Sequence, residues 1–237
     1  MRSKNAVKTI GAVVLVLAMA ANLALAGNPQ IAPPNSQAYG KSLTEWMGTY
    51  WRWYYSGADL EQSKVGPVQL MPLPSSEKLY GSWTPEDPAY LKGELEITLR
   101  AGTPFVLPEF AWVGERYAQP DPGWPDDPPM DNAVALRDVS VTLTIDGKTV
   151  ISDANKAAFY IPPTYFDPIV VYPAPSDYGS VAAVFYQGVG CVVLPLTPGV
   201  HVIKLYEPYI ILPGDYPLFP DGYGLIYDNT WIVTVLP

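Results

Sequence analysis

Val139-Ser140-Val141-Thr142-Leu143-Thr144-Ile145-Asp146-Gly147-Lys148-Thr149-Val150-Ile151 is the stretch whose reading decides the fold. Val139, Val141, Leu143 and Ile145 alternate with Ser140, Thr142 and Thr144, the period-2 pattern of a half-buried strand. Asp146-Gly147 supplies a tight turn, and Lys148–Ile151 returns as its hairpin partner. The same alternation places Leu95, Ile97 and Leu99 opposite Glu94, Glu96, Thr98 and Arg100. Further apolar runs predict strands at 104–113, 181–187, 189–195, 200–206 and 230–236, with Thr197-Pro198-Gly199 as a turn between two of them. Residues 58–92, 114–137 and 207–229 read as loops. Seven or more short strands separated by turns predict an all-β domain over 93–237, a β-sandwich or jelly roll. The 27 prolines are spread along the chain and agree with strand ends, edges and ordered loops.

Upstream lies one convincing helix. Ser42 and Glu45 have the spacing of a capping box, in which each side chain satisfies a free amide at the helix start. The spacing predicts a helix from Leu43 to about Tyr55, stopping near Gly57. Trp46, Tyr50 and Trp53 share one face and Met47, Trp51 and Tyr54 the adjacent one. So wide an apolar arc predicts a helix packed on the sandwich, within a segment 41–92 of helix and loops. Residues 27–40, with Pro29, Pro33 and Pro34, read as an extended arm.

The first 26 residues have a three-part organisation. Arg2, Lys4 and Lys8 precede an uncharged apolar run from Ile10 to about Ala21, and Ala24-Leu25-Ala26 closes it with a small-x-small cleavage pattern. This predicts a secretory signal peptide and a periplasmic or extracellular protein with no membrane attachment after cleavage. The remaining 211 residues carry 11 Lys+Arg against 23 Asp+Glu, a net charge of −12. Such a surface repels phosphate backbones and anionic bilayers, so nucleic acid and membrane are not expected partners. Cys191, the single cysteine, sits among Val189, Gly190, Val192 and Val193 and reads as a small buried hydrophobe.

Ala38-Tyr39-Gly40-Lys41-Ser42-Leu43-Thr44-Glu45-Trp46, continuing to Trp51-Arg52-Trp53, resembles the start of an uncharacterised family of secreted bacterial proteins with an A-Y-G-K-[ST]-x-x-E-W element and a W-x-W pair. A later L-x-P-G-x-H-x-[IL] strand in that family resembles Leu196–Ile203 here. The resemblance implies secretion and a helix-plus-sandwich layout. It implies no reaction, cofactor or catalytic residue.

Few residues could carry chemistry. Gly40-Lys41-Ser42 fails as a phosphate loop, because the required earlier glycine falls on Asn35 and no strand precedes it. His201 is the single histidine, no G-x-S-x-G elbow occurs, and His201 reads as a structural residue at a strand start. One histidine and one cysteine cannot close a zinc site. Carboxylates remain. Glu109 and Glu115, six apart, share a face if their strand is unbroken, with Trp112 on the other. They are the candidate catalytic pair for a glycoside hydrolase. Asp121, Asp126, Asp127 and Asp131, in a proline-stiffened loop, are the candidate oxygen ligands for Ca²⁺, against the plainer reading of solvated charge. Trp83 and Trp124, in loops, are candidate stacking residues. The sequence therefore predicts a secreted, non-catalytic binding or structural protein, its partner a carbohydrate, an envelope polymer or another protein. The alternative is an extracellular polymer or glycoside hydrolase.

Overall fold

The computed structural model describes residues 30–121, 124–177 and 179–237, so the stretch 1–26 read as a signal peptide lies outside the described residues. In chain order the elements are α1 (Leu43–Tyr55), β1 (Lys64–Val65), β2 (Val68–Leu70), β3 (Ser76–Tyr80), β4 (Ala89–Arg100), β5 (Phe105–Asp121), β6 (Trp124–Asp126), α2 (Asn132–Asp138), β7 (Thr142–Ile145), β8 (Lys148–Ile151), β9 (Tyr160–Val171), β10 (Ser180–Val193), β11 (Gly199–Ile211) and β12 (Tyr223–Leu236). One sheet runs β1-β2-β5-β10-β9, with β6 also on β5; the other runs β3-β4-β12-β11-β7-β8. The protein is an all-β sandwich with one amphipathic helix on it.

Three layers follow from the burial pattern. Between the sheets, Phe105, Leu107, Cys191 and Val193 meet Leu143, Ile203, Trp231 and Val233. On the far side of the first sheet, Val106, Tyr186 and Val192 meet Trp46, Met47, Tyr50 and Trp51 of α1. Strand β10 is therefore covered on both faces, which is why 181–193 reads as an almost unbroken apolar run rather than an alternation. The 181–187 and 189–195 expectation merges into this one strand, carried through position 188 by Gly188 at φ 150°, where the backbone of Phe110 leaves no room for a Cβ.

Helix α1 has the expected limits and capping box: Ser42 N–H donates to Glu45 Oε2 at 2.7 Å and Glu45 N–H to Ser42 Oγ at 3.3 Å. Trp46 and Tyr50 are fully buried, and each polar atom is satisfied, Trp46 Nε1 by Ala38 O at 2.6 Å and Tyr50 Oη by Met71 O at 2.8 Å.

Three expected loops contain structure. Within 58–92, β2 joins β5 and β3 joins β4, so residues 41–92 belong to both sheets and 93 is no boundary. Within 114–137, β5 continues to Asp121 and β6 and α2 follow. Within 207–229, β11 runs on to Ile211 and β12 starts at Tyr223, because the two pair over their whole lengths. Cross-strand pairing, absent from any local window, makes these segments strands. The arm also docks: Ala32 N–H donates to Val192 O at 2.8 Å and Leu194 N–H to Gln30 O at 2.9 Å.

Trp46 closes the helix–sheet layer, so Trp46→Ala is expected to cost about 3–5 kcal/mol in denaturant melts. A loss below about 1 kcal/mol would contradict the burial of this ring against the sheet.

Candidate functional site

The site arises from an unfilled edge. Strand β2 pairs only with Phe105 and Val106 of β5, and β6 joins the same side only from Arg116. Between Leu107 and Gly114 that edge of β5 has no strand partner among the described residues, and Pro108 removes one of its free donors. The C-terminal end of α1 and the segments before β4 and β12 close over the gap without filling it.

A bulge redirects the side chains along this edge. Val189 pairs with Phe110 and the adjacent Gly190 with Pro108, which leaves Glu109 as the extra residue on β5. Alternation therefore changes phase. Phe105 and Leu107 face the inter-sheet core before the bulge, and Phe110 and Trp112 pack against it afterwards. Ala111 and Val113 turn to the helix side. The expectation that Glu109 and Glu115 share a face assumed an unbroken strand, and the bulge invalidates it: each carboxyl lines a different cavity. Trp112, expected on the opposite face from both acids, lines the same groove as Glu115 because that groove wraps the open edge.

The outer groove has a volume of about 840 Å³. One wall is aromatic. Phe219 stacks on Tyr223 at 4.4 Å and 16°, and Tyr223 on Trp83 at 5.9 Å and 26°, a column of near-parallel rings. Trp83 stands at the rim, 38% exposed, with a positive φ of 67°. The other wall is polar, with Glu115, Tyr117, Gln119 and Asp127. Glu115 accepts from Tyr172 Oη at 2.5 Å and Ser180 Oγ at 2.8 Å. Asp127 accepts from Glu115 N–H at 3.0 Å and Tyr117 Oη at 3.1 Å. Burial raises the Asp127 carboxyl above its ordinary range despite these donors.

The inner cavity, about 440 Å³, adjoins the groove through the shared residues Tyr55 and Ala111. It holds Glu109 from β5 and Glu207 from β11, 4% and 5% exposed. Neither oxygen of Glu109 has a hydrogen-bond partner of good geometry among the described residues. Burial pushes the Glu109 carboxyl up to about 8, and its contact with the Cys191 thiol offsets only part of that rise. Glu207 is raised well above the carboxylate range by burial and then by the like charge of Glu109. Sequence reasoning missed Glu207. The alternation of β11 puts Leu205, Glu207, Tyr209 and Ile211 on one inward face, and a carboxylate in that phase was the available signal.

The other candidates are occupied elsewhere. Asp126 forms a two-pronged ion pair with Arg116, at 2.7 and 2.8 Å. Asp131 caps α2 through the amides of Ala133 and Val134, at 2.8 and 3.3 Å. With Asp127 bound to β5, these three carboxylates do not converge, and no group of three or more metal-ligating side chains occurs among the described residues. The side chains of Asp121 and Trp124 lie outside the described residues. Cys191 is fully buried, and burial pushes its thiol up, the condition of an unreactive cysteine.

His201 has a structural role. Nδ1 lies 2.7 Å from Asp146 Oδ2 and Nε2 lies 2.7 Å from Thr197 O. Both partners only accept, so both bonds need the doubly protonated ring. Burial lowers its pKa, but the bonds to Asp146 and Thr197 outweigh that and leave it raised. The ring ties the β7–β8 hairpin turn to the turn before β11.

Two pH effects follow. The His201 proton is held more tightly in the folded protein than in the unfolded chain. Its stabilisation is therefore complete below the ordinary histidine range and fades as pH rises through the folded-state value. The stability difference between wild type and His201→Gln should be largest near pH 5.5 and shrink by pH 9, measured by denaturant melts; a flat difference would contradict the charged tether. Glu109 is a raised acid and has the same sign, so the fold loses stability as pH rises through about 8. Glu109→Gln, which cannot ionise, should gain on wild type by about 1.4 kcal/mol per pH unit between the ordinary carboxylate range and about 8, and by no more above it. Parallel pH profiles would refute a buried, unpaired carboxyl.

No family model and no curated protein matches the chain. Among solved structures it is similar to a mutant of CfaE, the CFA/I enterotoxigenic E. coli adhesin, at 10% identity and a TM-score of 0.22. The likeness covers 67% of this chain and 49% of that one, so the chain spans about half the length of the adhesin.

Proposed function

We propose that the protein is a secreted, non-catalytic binding module whose ligand is a carbohydrate or envelope polymer lying in the outer groove along the bare edge of β5. The observation that carries this reading is the groove's construction: an aromatic wall, the stacked Phe219, Tyr223 and Trp83, and a hydrogen-bonding wall, Glu115, Tyr117, Gln119 and Asp127, line one groove. Its volume of about 840 Å³ falls within the span of small-molecule sites, about 300–1,000 Å³. A sugar presents apolar C–H faces and a rim of hydroxyls, and those two walls complement one each. Parallel stacking holds the rings stiff, so little side-chain entropy remains to be lost on binding. No helix among the described residues is long and apolar enough to cross a membrane.

The carboxylate arrangement favours binding over hydrolysis. Two-acid glycoside hydrolysis needs one protonated and one ionised carboxyl flanking the bond. Glu109 and Glu115 lie in separate cavities, and burial raises both members of the Glu109–Glu207 pair above the ordinary carboxylate range.

Affinity electrophoresis and glycan arrays test the reading, with reducing-end assays on the same ligands. Wild type should bind without releasing new reducing ends. Trp83→Ala, a change at the groove rim, should keep the fold and weaken binding by about tenfold. Binding to no glycan or envelope polymer would overturn the proposal, as would turnover abolished by Glu109→Gln or Glu115→Gln.

A further inference from the structure

The inner cavity has a chemistry of its own. Glu109 and Glu207 project into it from facing sheets. Both oxygens of Glu109 are buried without a well-formed hydrogen bond among the described residues. Among the described residues no lysine, arginine or histidine lines the cavity. The two acids face no countercharge in the described lining and Glu109 no well-formed donor, and a buried carboxylate is tolerated only when something supplies them. Part of the remaining wall is aromatic, with Trp51, Tyr54, Tyr55 and Tyr227. Rings and carboxylates together attract a cation that carries both N–H donors and an apolar frame. A hard metal fits poorly, since Ca²⁺ takes about 6–8 oxygens. The Asn229 Oδ1 in this wall already accepts from Ser76 Oγ at 2.8 Å.

We propose that this cavity binds a primary ammonium group and that, with the adjoining groove, it recognises a glycan bearing free amino groups. The proposal rests on the glycan reading of the outer groove and deepens it. Tyr55 and Ala111 border both spaces, so one sugar residue in the groove places its neighbour's substituent at the cavity mouth. A primary ammonium has three donors, enough to serve both carboxyls at once. Without a cation, burial disfavours the ionised form of both acids; an arriving ammonium provides the countercharge that lets one ionise and release its proton to solvent. Around them Tyr54 and Tyr55 of α1, Cys191 of β10 and Tyr227 of β12 are the other titratable groups. The mature chain's net charge of −12 favours a polycationic partner over an anionic one at long range.

Isothermal titration calorimetry with the full mature chain tests this. The probes are a glucosamine tetramer, its fully N-acetylated counterpart and 1,4-diaminobutane. Wild type should prefer the amino tetramer by about tenfold or more, and Glu109→Gln and Glu207→Gln should each erase that preference while leaving the N-acetylated affinity unchanged. Both variants remove a buried acid without changing its shape, and circular dichroism confirms that each is folded. Equal wild-type affinity for the two tetramers would overturn the ammonium site and leave the glycan reading intact. Binding of diaminobutane with neither tetramer bound would support the ammonium site and sink the glycan reading. No binding of any probe would overturn the proposal.

Discussion

The pairing of β5 with β10 is the constraint on which the rest of the molecule depends. Strand β10 is buried from both sides, by the second sheet on one face and by α1 on the other. Every residue along it must therefore be apolar, small or fully satisfied. Gln187 shows the last case: its amide exchanges hydrogen bonds with both backbone groups of Met130, at 3.0 Å each, and so anchors the end of the acidic loop. Strand β5 carries the opposite condition on its outer side, where no partner strand runs along its middle. One strand saturated and its neighbour half bare give a cleft with a rigid floor.

Glu109 sits where these two conditions meet. The bulge that makes it an extra residue also reverses the phase of β5 behind it. Without that reversal Trp112 would leave the inter-sheet side, and the contacts that set the groove's aromatic end, its edge-on packing with Tyr216 at 5.1 Å and Phe219 at 5.8 Å, would be lost. Bulges commonly re-aim side chains beside functional sites, and here one bulge both inserts an acid into the core and builds the wall next to it. A fold optimised for stability alone has little use for a buried carboxyl without a well-formed hydrogen bond.

The aromatic content divides between two tasks. Trp46, Tyr50 and Trp51 hold α1 to the sheet, with the polar tips of Trp46 and Tyr50 satisfied. Tyr54 and Tyr55, one turn later, line the cavities instead, with Tyr55 stacked on Tyr172 at 5.2 Å. The same helix thus closes the core with one end and the cleft with the other. Asp126, Asp127 and Asp131 of the acidic loop are likewise spent on structure, pairing with Arg116, the β5 backbone and the amides of α2 rather than with one another.

Local patterns determined the elements whose evidence is local. The Ser42/Glu45 box and the aromatic arc specified α1, and period-2 alternation specified β4, β7 and the β7–β8 hairpin, because capping and pleat periodicity act within a few residues. His201 was legible as structural because a lone histidine lacks catalytic partners. The lengths of β10, β11 and β12, the strands hidden in 58–92, and the joining of Glu109 to Glu207 were decided only in three dimensions. A strand without alternation needs its partner to be recognised, and the parallel pairing of β4 with β12 joins residues more than 130 positions apart. The shift of phase at Glu109 arises from register against β10, and register is a property of two strands that neither sequence segment contains alone.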